Sequence, residues 1–126
     1  ERSSVILNRF EKSLKGSKVL VLGVAYKQDI DDYRESPALV VIDILKSMGS
    51  EVKYFDPYIQ EYKYKGEKYQ GEKELTKELL SSSDLVLVTA SHTNVDYDFV
   101  QENSIFIFDT KNAMKEVKNR ENIELL

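Results

Sequence analysis

The chain has 126 residues, of which 41% are hydrophobic and 32% charged, so its size and composition suit one domain with its own core. No apolar run approaches the roughly 20 residues that span a bilayer, and residues 1–18 lack the apolar segment of a signal peptide, so we expect a cytoplasmic protein without membrane contact. The net charge of −4 comes from well-mixed acids and bases, which argues against nucleic-acid binding, and the absence of cysteine excludes disulfides and thiolate chemistry.

The first half of the chain predicts helix, strand, helix and strand in succession. Residues 1–15 carry apolar side chains at helical spacing and predict a short amphipathic helix. The apolar run 18–23, which ends in a glycine, predicts a strand buried on both faces. Ser36-Pro37 is typical of a helix start, and Gly49 ends that helix. Residues 52–55 predict a second strand.

The second half continues the alternation after a Tyr- and Lys-rich stretch, residues 60–71, that predicts a hairpin or a short edge strand. Further helices are predicted over 72–81 and 94–101, and further strands over 84–89, 105–108 and 123–126. Strands that alternate with helices favour a parallel sheet with right-handed crossovers. The sequence therefore predicts an α/β fold: a Rossmann-like three-layer domain with a mostly parallel sheet.

Polar loops leave the carboxyl ends of the predicted strands, which is the edge where open parallel sheets bind ligands. The loop 23–36 is the most charged of them, with four acids as well as Lys27 and Arg34, more than a simple connection needs. The loop after the 105–108 strand carries Lys111. Cations at neighbouring strand ends, beside a helix that starts at Ser36, indicate a site for phosphate or pyrophosphate.

Each of these side chains also has a structural explanation. Lys27 and Arg34 could simply neutralise the acids of their own loop, and a single loop histidine such as His92 is more often a polar cap or a solvated residue than a catalyst. Without a second His or any Cys, His92 does not predict a zinc site, and we expect no metal. Asp56-Pro57 is typical of a turn. The loop 23–36 holds one glycine where the dinucleotide fingerprint G-x-G-x-x-G needs three.

Four segments, in order along the chain, resemble a known family. They read G-V-A-Y-K-Q-D-I-D-D-Y-R-E-S-P-A, Y-F-D-P-Y, D-L-V-L-V-T-A-S-H and I-F-D-T-K-N. Together they resemble the carboxy-terminal UDP-binding domain of the UDP-glucose/GDP-mannose dehydrogenase family, over residues 16–126. The first segment is more similar to the branch that oxidises UDP-N-acetylhexosamines (UDP-N-acetylmannosamine or UDP-N-acetylglucosamine) than to the UDP-glucose branch.

The resemblance implies an NAD-dependent UDP-sugar 6-dehydrogenase, which oxidises the C6 alcohol of the sugar to a carboxylate through a thiohemiacetal on a catalytic cysteine. It also implies a separate amino-terminal domain that binds NAD, and a central helical region that forms a homodimer or a higher homo-oligomer. Because the chain has no cysteine, we expect it to hold no catalytic residue and to be inactive alone. Residues 1–15 would be the end of a connecting helix or a tail, and residues 16–126 the UDP-sugar-binding domain.

Matching positions imply roles for particular residues. Tyr26 and Lys27 match residues that contact the nucleotide-sugar, and Arg34 matches one that reaches the NAD pyrophosphate when the domains close. Lys111 stands where many members have an Arg that helps bind the nucleotide-sugar. Since Lys is a point charge without the guanidinium fork, it should keep the attraction for phosphate and lose directional specificity. The resemblance gives His92 no chemical role.

Two other functions stay open at this stage. A stand-alone nucleotide-binding or regulatory module without catalysis would present the same polar sheet edge. A response-regulator-like domain would place an acidic phospho-acceptor at a strand end with a lysine facing it, and Asp56 with Lys111 would fit that pattern. The four matching segments favour the dehydrogenase.

Overall fold

The structure, a computed structural model, describes residues 15–126, so the helix predicted over 1–15 falls outside the described residues except for its last position. No helix within 15–126 has the length and apolar character needed to cross a bilayer. In chain order the elements are β1 Lys18–Leu22, α1 Pro37–Ser47, β2 Glu51–Phe55, β3 Glu61–Tyr64, β4 Glu67–Gln70, α2 Lys77–Ser81, β5 Leu85–Val88, α3 Tyr97–Asn103, β6 Ile107–Asp109 and β7 Ile123–Leu125.

Within the described part of the chain, five strands form one sheet in the order β2-β1-β5-β6-β7. Every pairing in this sheet is parallel, which confirms the predicted sheet type. The chain moves from β1 to β2 on one side and then crosses to β5 on the other, so the strand order reverses between β1 and β5. A reversal of this kind opens a crevice at the carboxyl ends of the two strands.

Helices cover both faces of the sheet, which confirms the three-layer arrangement. On one face, Ile42 and Leu45 of α1 share a core cluster with Val19. On the other face, Leu80 of α2 and Val100 of α3 share a second cluster with Leu20. Neighbouring residues of β1 therefore point into two different cores, as expected for a parallel strand that is buried on both sides.

Capping side chains set the helix starts and explain where the predicted bounds were wrong. Ser36 accepts from the Ala38 amide at 3.2 Å, so α1 starts at Pro37 as predicted. The helix predicted over 72–81 is wrong in its first half, because Thr76 is the cap and accepts from the Leu79 amide at 3.1 Å. The helix predicted from residue 94 starts at Tyr97, because the Asp96 carboxylate accepts from the Phe99 amide at 3.1 Å.

The stretch 60–71 forms the predicted hairpin, β3 paired antiparallel with β4. Its inner face carries Tyr62, which stacks on Tyr69 with ring centroids 4.8 Å apart. The same ring lies 5.3 Å from Tyr54 and 5.6 Å from Tyr33. Burial of these rings raises the pKa of Tyr54 and of Tyr62. The hairpin thereby covers one side of the first core and holds Tyr33, near the end of the loop 23–36.

Candidate functional site

The loops that follow β1, β5 and β6 enclose a cleft of about 220 Å³ at the carboxyl edge of the sheet. The cleft lies at the reversal of strand order between β1 and β5. The structure brings three of the four predicted site residues into this cleft, and Arg34 is the one outside it. The lining residues are Tyr26, Lys27, Gln28, Thr89, Ala90, Ser91 and Lys111.

Two ammonium groups give the cleft its charge. The side chains of Lys27 and Lys111 are exposed, and among residues 15–126 neither forms an ion pair. The Lys27 ammonium lies 5.9 Å from the centroid of the Tyr26 ring, at the outer limit of a cation–π contact. Two uncompensated positive charges in one concave site attract an anion.

Arg34 is held by an acid of its own loop. Its Nε donates to Asp32 Oδ1 at 3.0 Å, and its Nη2 donates to Asp32 Oδ2 at 3.2 Å. These hydrogen bonds lower the pKa of Asp32 and raise that of Arg34. The pair borders an open depression of about 400 Å³ that is separate from the cleft. The neutralising role considered for both cations therefore applies to Arg34 and, within the described residues, not to Lys27.

Gly23 allows the loops after β1 and β5 to touch. Its φ is +91°, and a Cβ there would lie 2.9 Å from the Ala90 nitrogen and 3.0 Å from the Ala90 Cα. The Thr89 hydroxyl donates to the Gly23 carbonyl across the same contact. Any larger residue at position 23 would push the two loops apart, since real Cβ atoms do not approach backbone so closely.

Asp56, at the end of β2, is a buried acceptor for backbone amides. Its Oδ2 accepts from the Val24 amide at 2.8 Å and from the Ala25 amide at 3.2 Å. Its Oδ1 accepts from the Tyr58 amide at 2.8 Å, which is the turn chemistry that the sequence indicated. With a fully buried carboxylate whose two oxygens are both occupied, Asp56 does not fit the exposed phospho-acceptor of a response regulator.

His92 joins Asp56 to the charged loop. The residue is only 1% exposed, and its Nε2 lies 2.9 Å from Asp56 Oδ2. Its Nδ1 accepts from the Asp29 amide at 2.8 Å. Because a nitrogen that accepts an N–H carries no proton of its own, the proton is on Nε2 and is donated to Asp56. His92 is thus a buried, fully hydrogen-bonded residue, which the sequence alone could not reveal.

Asp29 and Asp109 are fixed by amides in a similar way. Asp29 has a φ of +60°, and its carboxylate accepts from the Thr93 amide at 2.8 Å, which lowers the pKa of Asp29. Buried Asp109 accepts from the Lys111 amide at 3.0 Å and from the Met114 amide at 2.9 Å. This second carboxylate fixes the backbone that presents Lys111 to the cleft.

Sequence reasoning did not single out Gln28 and Thr89, although both line the cleft. The Ser91 hydroxyl donates to Gln28 Oε1 at 3.2 Å, so a polar bridge joins the two loops beside Lys27. Gln28 and Thr89 both lie in loops that follow predicted parallel strands. This position could have indicated that they share a site, because the carboxyl ends of such strands meet at one edge of the sheet.

The fold and the site define a Rossmann-like α/β domain with a cationic cleft at the carboxyl edge of its sheet. Residues 20–116 match the family described as "UDP-glucose/GDP-mannose dehydrogenase family, UDP binding domain". The chain belongs to this family, and the resemblance drawn from the four segments is confirmed.

Relatives with known names agree with this assignment. A UDP-N-acetyl-D-mannosamine dehydrogenase of Methanocaldococcus jannaschii is 31% identical over 117 residues, which cover 91% of this chain and 24% of the relative. A UDP-glucose 6-dehydrogenase of Rickettsia bellii is 35% identical over 97 residues, which cover 71% of this chain and 22% of the relative. The solved UDP-N-acetyl-mannosamine dehydrogenase from S. aureus is 30% identical with a TM-score of 0.65, over 94% of this chain and 27% of that one. The chain thus spans about a quarter of the length of each relative.

Proposed function

We propose that this chain is the UDP-sugar-binding domain of an NAD-dependent UDP-sugar 6-dehydrogenase, which oxidises the C6 alcohol of the sugar to a carboxylate. The observation that carries the proposal is the cleft between β1 and β5, where Lys27 and Lys111 face one concave site in a chain that matches a UDP binding domain. The relatives are dehydrogenases and do not favour a stand-alone module.

The cleft suits a nucleoside diphosphate sugar by its charge. The pyrophosphate of such a ligand carries a negative charge on each phosphate, and the two ammonium groups would neutralise them. Tyr26, which is 46% exposed at the rim, offers a ring to the nucleotide or the sugar. We assign the sugar to the N-acetylhexosamine class, UDP-N-acetylmannosamine or UDP-N-acetylglucosamine. A relative named for UDP-N-acetyl-D-mannosamine supports this choice.

The loop 23–36 does not fit the main pyrophosphate site of NAD. A dinucleotide fingerprint offers free backbone amides to the phosphates, whereas here the amides of Val24 and Ala25 donate to Asp56. We therefore assign the main NAD site to a separate amino-terminal domain of the same enzyme, within a homodimer or a higher homo-oligomer. In this chain we assign only Arg34 to the NAD pyrophosphate, and it would have to exchange Asp32 for the cofactor.

Calorimetric titration of the 126-residue chain with UDP tests the site. We expect binding that weakens as salt is added, and a loss of about tenfold in affinity for Lys27→Ala and for Lys111→Ala, since each removes one charge-assisted contact. Lys63→Ala, which removes an exposed lysine of β3, is the matched control and should bind like the unaltered chain.

Two results would contradict the proposal: no binding of UDP by the unaltered chain, or equal affinity in all three lysine variants. In a full dehydrogenase that contains this domain, Lys27→Ala should raise the KM for the UDP-sugar, whereas Arg34→Ala should raise the KM for NAD. Steady-state kinetics with each substrate varied in turn would separate these two roles.

A further inference from the structure

We propose that His92, neutral and protonated on Nε2, is a positioning residue that holds the segment Tyr26–Gln28 in its ligand-binding geometry. The step from this geometry to UDP affinity rests on the proposed function. The geometry itself can be tested without any ligand.

Both ends of the segment are tied to one buried pair of side chains. On its amino-terminal side, the Val24 and Ala25 amides donate to Asp56 Oδ2, the oxygen that also lies 2.9 Å from His92 Nε2. On its carboxy-terminal side, the Asp29 amide donates to His92 Nδ1 at 2.8 Å. The imidazole and the carboxylate therefore span the segment between them and fix the distance between its ends.

The backbone of the segment matters because Lys27 has little else to orient it. Within residues 15–126 its ammonium forms no ion pair. Asp29, two residues further on, has a φ of +60°, a conformation that a non-glycine residue keeps only when its surroundings enforce it. The hydrogen bond from its amide to His92 and that from the Thr93 amide to its carboxylate supply this enforcement.

The imidazole is itself held in place. The Tyr58 ring meets it edge-on with centroids 4.9 Å apart, and the Tyr97 hydroxyl donates to the His92 carbonyl at 3.0 Å. Both ring nitrogens are occupied, so the side chain has no free polar atom with which to contact a ligand. Its influence on the cleft must pass through the backbone, which defines a positioning residue rather than a catalytic one.

Two variants of His92 separate the two hydrogen bonds that its imidazole ring forms. An Asn side chain places an acceptor near the position of Nδ1 but does not reach Asp56, whereas a Gln side chain places a donor near Nε2 but offers no acceptor to the Asp29 amide. Both variants lose one buried hydrogen bond, so their stabilities should fall by similar amounts. A purely structural role would change UDP affinity equally in both, whereas a positioning role predicts a difference.

The experiment combines amide hydrogen exchange, UDP calorimetry and nitrogen NMR of the imidazole. We expect the Asp29 amide to exchange at least tenfold faster in His92→Gln than in His92→Asn. We also expect UDP to bind about tenfold more weakly to His92→Gln than to His92→Asn. In the unaltered chain at neutral pH, NMR should show the neutral tautomer with the proton on Nε2.

Each of the three measurements has a result that would overturn the inference. Equal Asp29 exchange in the two variants, or an Nδ1-protonated ring in the unaltered chain, would refute the positioning role, and the second measurement stands even if neither variant folds. If the unaltered chain fails to bind UDP, the proposed function fails while the exchange data still decide the role of His92. If all forms bind UDP equally, the inference fails and the proposed function survives.

Discussion

The two halves of the loop 23–36 hold their cations in opposite ways. The first half, Gly23 to Asp29, is fixed to the loops after β2 and β5 by buried groups, with Asp56 and His92 at the centre. In the second half, Arg34 pairs with Asp32 of the same loop, and the Arg34 side chain is 81% exposed.

This difference separates two tasks within one loop. Buried hydrogen bonds are costly to break, so the first half presents Lys27 and Tyr26 in a preformed arrangement. An exposed ion pair is weak and is screened by salt, so Arg34 can change partners at little cost. A preformed arrangement around Lys27 suits a ligand bound within this domain, and an exchangeable Arg34 suits a ligand brought by another domain.

The largest expected effect is the loss of stability when Asp56, which fixes the first half, is replaced. Asp56→Ala removes the buried acceptor of three amides and of His92, so we expect the free energy of unfolding to fall by about 3–5 kcal/mol. Urea unfolding measures this change. Asp31→Ala, an exposed acid in the second half, is the control and should stay within about 0.5 kcal/mol of the unaltered chain. Similar losses in both variants would mean that the two halves are held alike.

A smaller effect is expected on the pKa values of Asp29 and Asp32, the acids that mark the two halves. The pKa of Asp29 is lowered mainly by the Thr93 amide, and that of Asp32 mainly by the Arg34 side chain, both from an ordinary 3.8. Since each folded pKa lies below the unfolded one, each acid stabilises the fold above about pH 4, and this contribution is lost as the pH falls through the folded pKa.

Salt should then separate the two acids, because it screens an exposed ion pair more than a hydrogen bond to a backbone amide. Carboxyl NMR titration at low and high ionic strength should show the pKa of Asp32 rising with salt while that of Asp29 stays nearly constant. Arg34→Ala should raise only the pKa of Asp32. A parallel rise of both pKa values with salt would show that charge, rather than the Thr93 amide, controls Asp29.

Much of the sheet was predictable because its signals are local. Continuous apolar runs mark strands buried on both faces, and the parallel order then requires the loops bearing Lys27 and Lys111 to share an edge. The starts of α2 and α3 were missed because Thr76 and Asp96 cap later than the apolar pattern suggests.

The role of His92 was not predictable, because it depends on three loops meeting in space. The burial of the ring follows from the Tyr58 and Tyr97 contacts, and its tautomer follows from an amide far away in the sequence. The sequence indicates that acids of the loop could neutralise Lys27 and Arg34, but a sequence with several acids beside two cations does not say which cation stays free. That choice comes from the backbone, which turns Asp29 toward Thr93 and leaves Lys27 over the cleft.

The smallest expected effect is that of Arg34→Ala, and its size is what makes it informative. Because the pair with Asp32 is exposed and local, its removal should leave the free energy of unfolding unchanged within the error of the measurement. It should also leave the UDP affinity of this chain unchanged, since Arg34 lies outside the cleft. Calorimetry and urea unfolding of the variant check both points. A tenfold loss of UDP affinity would place Arg34 in the nucleotide-sugar site and would remove the division of tasks between the two halves of the loop.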